Sequence, residues 1–81
     1  MPHYFFHLYN DIEARDEEGI ALPDLEAARA EAEHQARKMI GELVKEQGRL
    51  VLSHRIDIED ETGAVLTTVW FSDVVTIEGQ R

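Results

Sequence analysis

A chain of 81 residues is long enough for one domain, and we expect residues 1–81 to form a single unit around one core. Its 17 Asp and Glu against 8 Lys and Arg give a net charge of −9, which disfavours binding to nucleic acid and to anionic membranes. The lack of cysteine excludes disulfides, thiolate nucleophiles and thiolate metal sites. Together with the absence of a recognisable signal peptide or membrane-spanning stretch, this predicts a cytoplasmic protein.

The first predicted element is a strand over residues 3–9, which is dense in aromatic side chains. Alternation places Tyr4, Phe6 and Leu8 on one face. The opposite face holds His3, Phe5, His7 and Tyr9. Because both faces carry large rings, we expect this strand to be central in its sheet.

Residues 12–22 predict a second strand that is short and broken, since Asp16, Glu17, Glu18 and Gly19 interrupt it. Its polarity favours an edge position, paired with the first strand.

A long helix is predicted from Asp24, a good N-cap, to about Gln47, with Gly48 as the C-terminal cap. Its apolar stripe is Leu25, Ala28, Ala32, Ala36, Met39 and Leu43, widened by Ile40 and Val44. The alanines allow a close approach to the sheet. Such a helix is about 35 Å long, whereas a seven-residue strand spans about 23 Å, so the helix should overhang the sheet or bend.

The second half of the chain predicts a hairpin. Residues 54–60 alternate, with Ile56 and Ile58 on one face, and residues 61–63 form the turn. Residues 64–71 return as a strand, and residues 74–77 predict a short final strand. The expected fold is α+β, in the order β-β-α-β-β, with one long helix packed on a three- to four-stranded antiparallel sheet.

One helix covers one face of a sheet, so the other face is a candidate interface. We assign to it His3, Phe5, His7, Tyr9, Val69 and Phe71. The alternation of the last strand leaves a second register open, in which Leu66, Thr68 and Trp70 point outward instead.

No arrangement of reactive side chains in the sequence predicts catalysis, a metal site or a cofactor. His3 and His7 share a face, but about 13 Å separates their Cα atoms on an extended strand, too far for one metal ion. The acidic groups at residues 16–18 and 57–61 lack the spacing of a calcium loop and suit solvated turns. We therefore expect a non-enzymatic protein with no cofactor.

The chain carries three ordered motifs: Met-Pro-x-Tyr-Phe-Phe-His from Met1, Asp-Glu-Glu-Gly-x-x-Leu-Pro-Asp-Leu from Asp16, and Val-x-Phe-Ser-Asp-Val-Val from Val69. Together they resemble a family of small bacterial proteins of unknown function. Family members often have Asp-Gly after the first strand, where this chain has Asn10-Asp11. The resemblance implies no established activity and therefore no catalytic residue. A weaker likeness to HicB-type antitoxins is mainly one of topology, and topology by itself does not give function.

Three functions remain open. Besides the two that follow, the sequence leaves open a small-ligand- or metal-binding domain, or an enzyme, with its site at the open sheet face. The first is a protein-interaction module that forms a homodimer through its sheet. The second is a regulatory or antitoxin-like protein whose acidic surface holds a basic protein partner.

Overall fold

The computed structural model describes residues 1–79 and confirms an α+β fold with one long helix and an antiparallel sheet. The elements are β1 (His3–Tyr9), β2 (Glu13–Ala14), β3 (Ile20–Ala21), α1 (Leu25–Gln47), β4 (Arg55–Glu59) and β5 (Val65–Trp70). A 3-10 turn, Phe71–Asp73, follows β5. No helix in the described part of the chain is both long enough and apolar enough to cross a bilayer.

Within residues 1–79 the sheet has five strands, one more than the largest number predicted. Its order is β2-β1-β4-β5, and β3 pairs separately with the start of β1. The additional strand arises because the predicted second strand is two pairings of two residues each, with residues 15–19 between them. β1 is central, as predicted, and β5 is an edge strand.

Both predicted ends of α1 are confirmed. The Asp24 side chain accepts a hydrogen bond from the Ala27 N–H at 2.9 Å, which satisfies one of the free donors of the first turn. At the other end, Gly48 has φ +64° and donates its N–H to the Val44 carbonyl at 2.9 Å. Glycine adopts this left-handed conformation without the steric cost of a Cβ atom.

The core lies between α1 and one face of the sheet. Ala28, Ala32 and Ala36 have no exposed surface and pack with Tyr4, Phe6, Ile56 and Ile58. Small side chains let the helix backbone approach the sheet, as the sequence predicts. No residue of α1 after Ala36 is fully buried, and Val44 is 45% exposed, so the last part of the helix extends beyond the sheet.

The predicted outward placement of Val69 and Phe71 is wrong. Val69 lies directly opposite Ile56 in the β4–β5 ladder, and opposed residues share a face, so Val69 points toward the helix. Val69 and Phe71 are 0% and 3% exposed within the core. The register is fixed by the hairpin turn and by a bulge beside Ile58 and Glu59, neither of which alternation reveals.

The predicted strand over residues 74–77 is also absent from the described chain. The 3-10 turn sends the chain toward α1, where Val74 is buried and its carbonyl accepts a hydrogen bond from Arg37 Nε at 3.0 Å. A side chain of the helix therefore occupies the acceptor that a neighbouring strand would otherwise use.

Candidate interaction surface

The sheet face opposite the helix is partly covered by residues 15–19, which we call the covering loop. Asp16 fastens this loop to β1. One carboxylate oxygen accepts the Phe6 N–H at 3.1 Å, and the other accepts the N–H groups of Glu18 and Gly19, each at 3.1 Å. Phe6 lies between the β1 residues that pair with β3 and those that pair with β2. At this gap the Asp16 side chain takes the place of a neighbouring strand as the acceptor for the Phe6 N–H.

His7 lies beneath the loop and is 3% exposed. Its Nδ1 accepts the Asp16 N–H at 2.9 Å, and its Nε2 is 3.2 Å from Glu59 Oε1. An acceptor at Nδ1 requires the tautomer that carries its proton on Nε2, which then faces the carboxylate. Both ring nitrogens are engaged within the fold, so the imidazole joins the loop to β4.

The ionisation of Asp16 reflects this arrangement. Partial burial acts to raise the pKa of its carboxyl, but hydrogen bonds from three backbone N–H groups outweigh it, so the pKa is lowered. Asp60, in the hairpin turn, is a second carboxyl of this kind. Hydrogen bonds from Thr62 and Ala64 lower its pKa.

Gly19 ends the covering loop at a place where a side chain does not fit. Its φ is +71°, and an added Cβ atom would lie 2.9 Å from Phe5 Cε1 and 3.0 Å from the Tyr4 carbonyl oxygen. We expect Gly19→Ala to lower the free energy of unfolding by about 2 kcal/mol, measured by urea denaturation. Gly41 in α1 has open space around it, so Gly41→Ala should raise stability by about 0.5–1 kcal/mol. Equal effects of the two substitutions would contradict the proposed close contact.

Beside the covered area lies a stack of two rings and a guanidinium. Arg55 lies 4.2 Å from the ring centroid of Tyr9 and 5.6 Å from that of Trp70. Asp57 accepts hydrogen bonds from Arg55 Nε at 3.3 Å and from Thr68 Oγ1 at 2.9 Å. Burial and the neighbouring Glu13 raise the pKa of the Tyr9 hydroxyl. Trp70 remains 42% exposed, at the edge of the sheet.

These contacts change how the predicted interface residues are understood. His3 is exposed and 3.7 Å from Glu61, Phe5 is half-buried beside Gly19, His7 is buried, and Tyr9 is half-buried against Arg55. The remaining two, Val69 and Phe71, belong to the core. The open part of this face is therefore smaller and more polar than predicted, and whether it is an interface stays a prediction.

Sequence reasoning missed the outer edge of β5. This strand, Val-Leu-Thr-Thr-Val-Trp, contains no charge and no proline, the devices that usually protect a sheet edge. Its exposed residues include Val65, Leu66 and Trp70, at 54%, 40% and 42%. The sequence does contain a signal for an unprotected edge, because this uncharged run lies between two acidic segments.

The free backbone groups of β5 follow from its pairing. Phe71 donates its N–H to the His54 carbonyl at 2.9 Å, so Phe71 and Val69 direct their backbone groups toward the β4 side. Because successive strand residues alternate between the two edges, Thr68 and Trp70 direct theirs outward. Within residues 1–79, no backbone hydrogen bond outside the sheet ladders uses either of them.

His3 and His7 do not meet at a shared site. They contact different carboxylates, Glu61 and Glu59, and in the described range no three His, Asp or Glu side chains are placed to hold a metal ion.

Over residues 1–79 these features define a small α+β domain: a long helix lies on an antiparallel sheet, a covering loop lies on the other face, and the edge strand β5 carries no charge and no proline. The chain belongs to the family described as a domain of unknown function, DUF6894, which matches residues 3–72. No curated protein and no solved structure matches it.

Proposed function

We propose that this protein is a protein-interaction module that self-associates through its sheet, by pairing β5 with β5 of a second copy. The observation that carries the proposal is the uncharged outer edge of β5, with outward backbone groups at Thr68 and Trp70. An edge of this kind is a template for another strand.

The sequence of β5 suits antiparallel pairing with itself. If Thr68 lies on the two-fold axis, Leu66 of one copy is opposite Trp70 of the other. Both are exposed apolar side chains in the single chain, and pairing would remove them from water. The same surface patch then serves both partners, as a two-fold interface requires.

The neighbouring stack of Tyr9, Arg55 and Trp70 supports the same location for the interface. Tryptophan, tyrosine and arginine are the residue types that most often dominate binding energy at interfaces, and Trp70, Tyr9 and Arg55 lie together beside this edge. Two copies that each carry a charge of −9 repel one another, so association should strengthen as salt screens that repulsion.

The test is molar mass by size-exclusion chromatography with light scattering, over a wide range of protein concentration and at two salt levels. We expect a dimer whose dissociation constant rises at least about tenfold in Leu66→Lys, because a lysine at the edge opposes strand pairing.

Ile12→Lys is the matched control. Ile12 is 74% exposed and lies outside every strand, so the same change in charge and side chain should leave the dimer intact. A monomer at all concentrations, or equal weakening by the two variants, would overturn the proposal.

The alternative is a regulatory or antitoxin-like protein that holds a basic protein partner, and the observation in its favour is the net charge of −9. Under this alternative, the partner should co-purify at low salt and dissociate as salt rises. For either function, we infer a non-enzymatic role in the bacterial cytoplasm, in keeping with the cysteine-free composition.

A further inference from the structure

A second feature of the molecule lies where α1 extends beyond the sheet. A cleft of about 320 Å³ opens between the last turns of α1 and the ends of β1 and β5. Its floor is apolar and is formed by Leu8, Met39, Leu43 and Phe71. We call it the helix-end cleft. Its volume is at the low end of the range for ligand sites, about 300–1,000 Å³.

The rim of the helix-end cleft is acidic. Asp11, Glu42 and Glu46 lie around it. Glu42 and Glu46 are four residues apart on one helix, so their charges repel, and the C-terminal end of a helix is itself negative. The ion pairs within residues 1–79 include neither of these glutamates. Asp11 is already paired, because Arg49 and His54 each lie 3.5 Å from its carboxylate. A cation bound at the rim would therefore interact mainly with Glu42 and Glu46.

His54 forms a buried wall of the helix-end cleft. It lines the cleft, is only 8% exposed, and packs edge-on against Phe71 with 5.5 Å between the ring centroids. Its Nε2 lies 3.5 Å from Asp11 Oδ1, so the ring pairs with one of the carboxylates at the rim.

We infer that the helix-end cleft receives an arginine side chain from a basic segment of a partner protein. The apolar floor suits the methylene stem of arginine, and carboxylates at the rim suit its guanidinium, which forms paired, charge-assisted hydrogen bonds. A partner protein is favoured over a free small cation because the whole chain is acidic and would attract a segment that carries several positive charges. This inference does not depend on self-association, since it uses no backbone group of β5.

The probe is an acetylated, amidated peptide with one central arginine and two lysines on either side, titrated into the isotope-labelled protein and followed by NMR. The largest shifts should map to Asp11, Glu42, Glu46 and His54. Replacement of the arginine by citrulline, which is uncharged, should weaken binding at least about tenfold.

The test variant is Glu42→Gln combined with Glu46→Gln, and it should also weaken binding at least about tenfold. Its matched control is Glu17→Gln with Glu18→Gln, which removes the same charge from two exposed residues outside the cleft and should change affinity less than about threefold. Both pairs lie on the surface, so folding is retained.

Three results would overturn the inference. They are equal affinity for the citrulline peptide, equal weakening by the two variant pairs, and equal affinity for acetylarginine methylamide, which would indicate a small-cation site instead of a protein-docking site.

Discussion

Replacement of Asp16 by alanine should lower the free energy of unfolding by about 2–3 kcal/mol, which corresponds to a fall of about 10 °C or more in the melting temperature. The reason is that one carboxylate accepts the N–H groups of Phe6, Glu18 and Gly19, and an alanine side chain accepts none of them. Urea denaturation followed by circular dichroism measures the effect.

The pH dependence of this loss of stability tests whether the Asp16 carboxylate is its cause. Because the pKa of Asp16 is lower in the folded protein than in the unfolded chain, its contribution is complete above the unfolded pKa and is lost as pH falls through the folded pKa. The difference in stability between the natural protein and Asp16→Ala should therefore narrow from about pH 5 downward. Asp60 also has a lowered pKa, but it is present in both proteins and cancels in the difference.

Glu17→Ala is the control for this prediction. Glu17 is an exposed neighbour in the same loop, and its loss should change stability by less than about 0.5 kcal/mol. If Glu17→Ala were as damaging as Asp16→Ala, or if the difference stayed constant with pH, the role assigned to Asp16 would be wrong.

The second large effect is expected at the contact between helix and sheet. Ala32 has no exposed surface, so Ala32→Leu inserts three additional carbons where there is no space. We expect a loss of about 3 kcal/mol, because overpacking forces side chains from their preferred rotamers or separates the two layers. Chemical denaturation measures the loss.

Ala30 provides the same substitution on the exposed side of the same helix. Ala30→Leu should change stability by less than about 0.5 kcal/mol, since both residues favour helices. A tolerated leucine at position 32, with unchanged stability, would show that the layers are not closely packed.

The Asp-Glu-Glu-Gly motif gains a structural explanation from these contacts. Asp16 satisfies three backbone donors, and Gly19 fits where no side chain does, while Glu17 and Glu18 are exposed. The motif therefore fastens a loop over His7 and needs no catalytic role to account for its residues. With this face partly covered, its open part includes the stack of Tyr9, Arg55 and Trp70 beside the β5 edge.

Some of the fold follows from local chemistry and was predictable. α1 begins at Asp24 and ends before Gly48 because a carboxylate caps one end and glycine accepts the left-handed conformation at the other. The aromatic alternation of β1 correctly placed Tyr4 and Phe6 against the helix. Each of these features depends on residues within a few positions of one another, so the sequence alone determined them.

Other features depend on contacts between distant residues. The register of β5 against β4 decided that Val69 and Phe71 are in the core and that Trp70 is outward, because a shift of one residue exchanges the two faces. The covering loop exists because Asp16 reaches the Phe6 N–H ten residues away. The helix-end cleft exists because α1 is longer than the sheet it covers, which brings Glu42 and Glu46 beside Asp11 and His54. The tertiary structure alone decided these placements, since alternation and helical periodicity describe one element at a time and carry no information about how two elements meet.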